Sequence, residues 1–143
     1  MTRRADLSPF STETVWNAGL SGTGSCGEGQ SLTIGHDAEW SPEHLLLFAA
    51  EACVMSTLLT LALDAGIDVL GYVSTGRLHV PAEPLSLPTL SLVPCIVVAT
   101  DDEAGRVRRL VRQAVEESIV ARLLGDRLTV AADVRAVPGA PAS

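Results

Sequence analysis

The stretch SPEHLLLFAAEACVMSTLLTLALDAG, residues 41–66, decides how this chain folds. Ser41 is a favourable N-cap, and Pro42 suits the first helical position. Gly66 suits the position just after the last helical turn. The residues between are apolar on nearly every side. Because a helix that is apolar all round is normally buried, the sequence predicts a long central helix over residues 41–65.

A membrane span is the alternative interpretation of the same segment, since Leu45 to Leu63 is almost wholly apolar. Glu51 lies inside this run, and a carboxylate at the centre of a membrane costs about 3 kcal/mol on insertion scales. No basic residues flank the run. The sequence therefore predicts a core helix and no association with a membrane.

The segments around this helix alternate between strand and helix patterns. The predicted elements are strands at 12–20 and 31–35, the helix at 41–65, strands at 68–80 and 89–100, helices at 102–117 and up to 124, and a strand at 128–134. A Gly-rich turn over residues 21–29 joins the first two strands into a hairpin. This order predicts one α+β domain over 12–136, with a flexible arm at 1–11 and a disordered tail at 137–143.

Composition excludes several functional classes. The chain has 143 residues, a net charge of −7 and no lysine. The acidic balance argues against nucleic-acid binding. Walker phosphate loops, Schiff-base enzymes and pyridoxal phosphate enzymes all need a lysine. The sequence thus predicts no cofactor. Use of arginine alone as the strong base indicates a GC-rich bacterial genome.

The cysteines and histidines show no metal-binding spacing. Cys26, Cys53 and Cys95 form no CxxC pair. His36 and His44 flank two carboxylates, but their spacing matches no standard site, so we predict no metal. The first ten residues are polar and lack the apolar core of a signal peptide. We expect a cytoplasmic protein with reduced thiols.

Cys53 has two interpretations from position alone. A cysteine in the middle of an apolar helix often packs as a small hydrophobic residue. It can also be a reactive thiol if a cation stabilises the thiolate. Cys95, in a strand apolar on both faces, is interpreted as buried and structural, whereas Cys26 lies in a predicted exposed turn.

The segment SPEHLLLFAAEACVMSTLLTLA resembles the OsmC/Ohr family of thiol-dependent hydroperoxide reductases. In that family a Pro-Glu pair is followed, ten residues after the glutamate, by the peroxide-reacting cysteine; here these are Pro42, Glu43 and Cys53. VWNAGLSGTG resembles the family's first strand and turn. AVEESIVARLL resembles the region that carries the family's second cysteine.

The resemblance implies a fold, an assembly and a reaction. The fold has an antiparallel sheet, an N-terminal β-hairpin and a long central helix, and it forms an intertwined homodimer. The implied catalytic residues are Cys53 and Glu43. In the family, the cysteine thiolate is oxidised by an organic hydroperoxide, a second cysteine forms a disulfide with it, and an arginine held by the glutamate keeps the first cysteine ionised.

The sequence departs from the family pattern twice. Ile119 occupies the position of the second cysteine, and no arginine lies between Arg4 and Arg77. We therefore expect a single reactive cysteine, Cys53, that relies on an external thiol as reductant and is a poorer nucleophile than in complete family members. Cys26 is a possible substitute for the second cysteine. The alternative is a catalytically impaired homodimer that binds a small apolar ligand.

The role of Glu43 is left open by the sequence. Ten residues of straight helix rise about 15 Å, so Glu43 cannot touch Cys53 of its own chain along one unbroken helix. Three alternatives follow: the helix breaks between the two residues, two chains assemble the site, or Glu43 only stabilises the helix N-terminus. Glu51 points away from Cys53 on a helix and is expected to meet Arg122 or a partner chain. The candidate cations for Cys53 are Arg77, Arg122, the arm's Arg3 and Arg4, and the histidines His36 and His44.

Overall fold

A computed structural model describes residues 10–26 and 29–138 of the chain. These residues form two compact units, with the boundary between Leu46 and Leu47. Most of the predicted arm and most of the predicted tail lie outside the described residues. Val137, placed in the tail by the sequence, donates its backbone N–H to the carbonyl of Val98 at 2.9 Å.

The first unit contains a three-stranded antiparallel sheet. Its strands are β1 (Glu13–Ala18), β2 (Ser21–Ser25) and β3 (Leu32–Gly35), in the order β1-β2-β3. The prediction of a turn over residues 21–29 is therefore wrong in its first half. The glycines of β2 have low strand propensity, so the sequence indicated a turn. Gly22 is nevertheless required here, because a Cβ on it would lie 2.7 Å from the carbonyl oxygen of Val15.

The long helix α1 spans Pro42–Asp64. The Ser41 hydroxyl accepts the backbone N–H of His44 at 3.1 Å, which is the N-cap bond that the sequence predicts. Gly66 adopts a φ of 71°, a conformation that side-chain-bearing residues rarely take, just after the last turn. Both predicted ends of the helix are thus confirmed.

The second unit carries a mixed sheet. Strands β4 (Gly71–His79) and β5 (Thr89–Val98) pair antiparallel over their whole length. The predicted last strand is divided into β6 (Leu128–Val130) and β7 (Asp133–Ala136), and both pair with β5 in parallel. The predicted α+β class is confirmed, but the sheet is antiparallel only between β4 and β5.

Two further helices follow β5. Helix α2 spans Asp101–Glu117 and is capped by Thr100, whose side chain accepts the N–H of Glu103. Helix α3 spans Ile119–Leu124 and is capped in the same way by Ser118. A short 3₁₀ turn, Gly125–Arg127, leads into β6.

The core of the second unit lies on one face of its sheet. Residues from α1, α2, β5 and β7 form its largest cluster, which includes Leu58, Ile96, Val107 and Val134. We call the sheet face that carries these residues the inner face and the opposite one the outer face. The helices pack against the inner face only.

This one-sided packing corrects the prediction for β5. Alternate residues from Leu90 to Val98 are buried, while Ser91, Val93 and Cys95 between them are exposed. The predicted interior position of this strand is confirmed, since β5 pairs with β4 on one edge and with β6 and β7 on the other. The prediction of a buried Cys95 is wrong. The sequence is apolar on both faces of β5, but only one face is covered by helices.

Helix α1 is also buried on one side only. Its buried residues are Ala50, Val54, Leu58, Leu61 and Ala62. The other side carries Ala49, Ala52, Ser56, Leu59 and Leu63, all of them exposed, and we call it the open side of α1. Among the helices of the described residues, α1 is the one whose length and composition would also suit a membrane span.

Candidate functional site

Cys53 is half-buried in the middle of α1, next to the fully buried Val54. Its backbone carbonyl accepts a hydrogen bond from the Thr57 hydroxyl at 2.8 Å. Within residues 10–26 and 29–138, no side chain is hydrogen-bonded to the Cys53 sulfur. The thiol is thus partly exposed, and its neighbours along the sequence, Ala52 and Val54, are apolar.

Helix α3 contributes to the same apolar cluster as the turn of α1 that carries Cys53. Ala50 and Val54 of α1 share an apolar cluster with Val120 and Ala121 of α3. Ile119, which the resemblance places at the position of the second cysteine, is the first residue of α3 and is 52% exposed. This part of the fold brings together the two segments that the resemblance assigns to the reacting cysteines.

Glu43 lies in the first turn of α1 and is exposed. The helix is unbroken from Pro42 to Asp64, so the sequence argument about its length holds: ten residues rise about 15 Å. Along this helix Glu43 cannot reach Cys53 of its own chain. A direct contact between Glu43 and Cys53 therefore needs a second copy of the chain.

Arg77 does not supply a cation to Cys53 of its own chain. Gly76 faces α1, because a Cβ on it would lie 2.5 Å from Glu51 Oε1 and 3.2 Å from Leu47 Cδ2. Side chains alternate along a strand, so Arg77 lies on the outer face. Arg122 is exposed on α3. Of Arg77 and Arg122, only Arg122 lies on the helical side of the sheet. The other candidate arginines, Arg3 and Arg4, lie outside the described residues.

The two histidines lie apart from any metal-binding cluster. His36 and His44 are exposed, and His44 Nδ1 is hydrogen-bonded to the Ser41 hydroxyl at 2.7 Å. Over the residues that the structure describes, no group of three or more His, Cys, Asp or Glu side chains is placed to hold a metal ion.

Sequence analysis missed a polar cluster between α1 and β4. The Glu51 carboxylate lies against Gly76, not against Arg122 as expected from the sequence. Burial, and then the nearby charge of Glu51, raise the pKa of Tyr72 to about 12. The buried Ser74 hydroxyl, between Tyr72 and Gly76 on the inner face, has no hydrogen-bond partner among the described residues. The available signal was the pair of polar residues Tyr72 and Ser74, which the strand pattern places on the same face.

The Tyr72 pKa can be measured directly because the chain has one tyrosine. We expect its absorbance at 295 nm to titrate with a midpoint near pH 12, compared with about 10 in the unfolded chain. Glu51→Gln removes the smaller cause, so its midpoint should fall but stay above 10. Since the folded state holds the proton more tightly, stability should decrease as the pH rises above about 10. An unshifted midpoint in the folded protein would contradict this arrangement.

The first unit contains a cavity of about 320 Å³. Apolar side chains of Leu32, Ile34 and Leu45 contribute to its lining, together with the exposed Cys26. Its volume is at the lower end of the range for small-molecule sites.

Residues 35–133 match the family model of the OsmC-like proteins. The chain belongs to this family. Within this fold α1 is a core helix that packs on the sheet. No curated protein matches the sequence at a significant level.

Solved structures from several bacteria share the fold. An OsmC-like protein from Mycoplasma pneumoniae is 15% identical, with a TM-score of 0.75 over 90% of this chain and 96% of that one. An organic hydroperoxide resistance protein from Legionella pneumophila is 18% identical, with a TM-score of 0.65 over 90% and 97%. One from Elizabethkingia anophelis is 16% identical, with a TM-score of 0.70 over 94% and 100%.

Proposed function

We propose that this OsmC-like protein reduces organic hydroperoxides with Cys53 as its single reactive thiol. The observation that carries the proposal is the Pro42-Glu43 pair ten residues before a half-buried cysteine on the central helix, inside the matched region. Structural neighbours named as organic hydroperoxide resistance proteins support the same reaction.

The proposed first step is attack of the Cys53 thiolate on the terminal oxygen of the hydroperoxide. An S–O bond forms and the O–O bond breaks, which yields a sulfenic acid and an alkoxide that takes a proton to become the alcohol. The cysteine is oxidised by two electrons and the hydroperoxide is reduced by two. Partial burial among apolar residues suits an organic substrate.

An external thiol completes the proposed cycle. It condenses with the sulfenic acid to give a mixed disulfide and water, and a second thiol then releases the reduced Cys53 and a low-molecular-weight disulfide. This route follows from Ile119, which leaves no thiol at the position of the family's second cysteine. A dithiol can supply both equivalents.

We further propose that two copies of the chain form the working protein. The open side of α1 is largely apolar, and it carries no charged residue between Phe48 and Leu63. Exposed apolar surface of this extent is typical of an interface. A second copy also offers the route by which Glu43 reaches a thiol that its own helix cannot bring to it.

The dimer is testable by mass and by one substitution. Light scattering should give about twice the chain mass of 14.9 kDa. Ala52→Glu, which places a charge at the centre of the open side, should shift the protein towards the monomer because an unpaired charge in an apolar interface is unfavourable. Leu123→Glu is the control, because it adds the same charge on α3 at a residue that is 80% exposed. Its mass should equal that of the wild-type protein. A monomeric wild-type protein at micromolar concentration would refute the dimer.

A second candidate function is the binding of a small apolar ligand without catalysis. The partly apolar cavity of the first unit favours this function. Catalysis is disfavoured because residue 119 is an isoleucine and because Arg77 lies on the outer face, away from Cys53 of its own chain. In that case the protein should bind apolar molecules but leave hydroperoxides intact.

Consumption of cumene hydroperoxide separates the two functions. We expect the purified protein to remove the hydroperoxide when a dithiol is present, and to stop after at most one equivalent per chain without it. Rates equal to those of a protein-free mixture would leave the binding function as the better account.

A further inference from the structure

The outer face of the second sheet contains a shallow cavity of about 360 Å³ that the proposed chemistry does not use. It is lined by Thr75 and Arg77 of β4 and by Ser91 and Val93 of β5. Arg77 is paired with Ser91 in the sheet register, and Thr75 with Val93, so the four residues form one block. We propose that this cavity binds a tetrahedral oxyanion, either inorganic phosphate or a small phosphate monoester.

Arg77 is available to an anion because no carboxylate in the described part of the chain pairs with it. Arg135, on the same face, is already occupied: its Nη2 lies 2.6 Å from Asp133 Oδ2, and its Nε also donates to that carboxylate. Among the described residues, Arg77 is also the one basic residue that lines this cavity. The planar guanidinium matches two oxygens of a phosphate or a carboxylate.

The hydroxyls favour a phosphate over a carboxylate. Thr75 and Ser91 place one donor on each strand of the block, and Thr129 of β6, the register partner of Ser91, is also exposed. A carboxylate has only two oxygens, and the guanidinium engages both. A phosphate has further oxygens that can accept from the hydroxyls. Val93 adds an apolar wall for the organic part of an ester.

Binding can be tested with inorganic phosphate and phenyl phosphate in low-chloride buffer. NMR titration of the Arg77 Nε–Hε signal, with the wild-type protein, should give saturable shifts for both probes. Phenyl phosphate should bind more tightly because its ring contacts Val93. If inorganic phosphate binds saturably and phenyl phosphate does not, the site is still supported, and its ligand is the free ion.

Arg77→Gln should weaken binding at least about tenfold, since it removes charge-assisted hydrogen bonds. Arg109→Gln changes the net charge equally on the exposed surface of α2 and should bind like the wild type. Ser91→Ala should weaken phosphate binding by a smaller factor. The backbone amide shifts of β5 measure this affinity. Equal weakening by the two arginine variants, or shifts that never saturate, would overturn the proposal. Hydroperoxide reduction should be unaffected by Arg77→Gln.

Discussion

Cys53→Ser is expected to reduce dithiol-dependent consumption of cumene hydroperoxide at least about 100-fold, because loss of a catalytic nucleophile removes most of an enzyme's turnover. A serine hydroxyl is a weak nucleophile without an adjacent general base. Cys53 has no hydrogen-bonding side chain at its sulfur among the described residues, so nothing there would activate a serine. Initial rates at several hydroperoxide concentrations provide the measurement.

Cys95→Ser is the matched control for this variant. Cys95 is exposed on the outer face of the sheet, whereas α1 packs on the inner face. Its substitution should leave turnover within about twofold of the wild type, as expected for a surface position. If Cys95→Ser lost activity and Cys53→Ser kept it, the reactive thiol would lie on the other face of the sheet. If neither variant lost activity, cysteine chemistry would not explain the reaction.

Leu58→Ala should destabilise the protein by about 3–4 kcal/mol, the middle of the range for such core truncations. Leu58 is fully buried on α1, in the cluster that joins this helix to β5 and α2. The substitution leaves a cavity that rigid neighbours from three elements cannot close. Thermal or denaturant unfolding, monitored by circular dichroism, gives the free energy of unfolding.

Leu123→Ala tests whether burial causes this loss. Leu123 is also a helical leucine, but it is 80% exposed. Its truncation should change the free energy of unfolding by less than about 0.5 kcal/mol. Similar losses for both variants would contradict the placement of the core on the inner face.

Local signals predicted the helices well. The ends of α1 depend on Ser41 and Gly66, whose capping bond and positive φ are properties of single residues and their neighbours. Strand β2 was not predicted because glycine has little strand propensity. The pairing of β2 with β1 and β3 depends on a close approach of their backbones, which the sequence does not show. The division of β6 from β7 likewise depends on pairing with β5.

Burial was harder to predict than secondary structure. Apolar residues on both faces of β5 and all round α1 indicated complete burial, yet each element is covered on one side within the chain. Sequence hydrophobicity shows which surfaces avoid water and does not show what covers them. For the open side of α1, a second copy of the chain is the proposed cover.

The candidate site was only partly accessible from sequence. The spacing of Glu43 and Cys53 is visible in the sequence, and so is an isoleucine at residue 119, where the resemblance places the second cysteine. The contact between Glu51 and Gly76, and its effect on Tyr72, is not visible, because it depends on how α1 lies across β4. The outer position of Arg77 follows from the same packing.

Chemical trapping of the oxidised cysteine shows which thiol reacts with the hydroperoxide. The protein is treated with one equivalent of cumene hydroperoxide in the presence of dimedone, which captures sulfenic acids, and is then mapped by mass spectrometry without reduction. If Cys53 is the single reactive thiol, the dimedone adduct should form on Cys53. Cys26 and Cys95 should stay unmodified, and neither should form a disulfide with Cys53. An adduct confined to Cys26 or Cys95, or an unmodified Cys53 after the hydroperoxide has been consumed, would contradict this prediction.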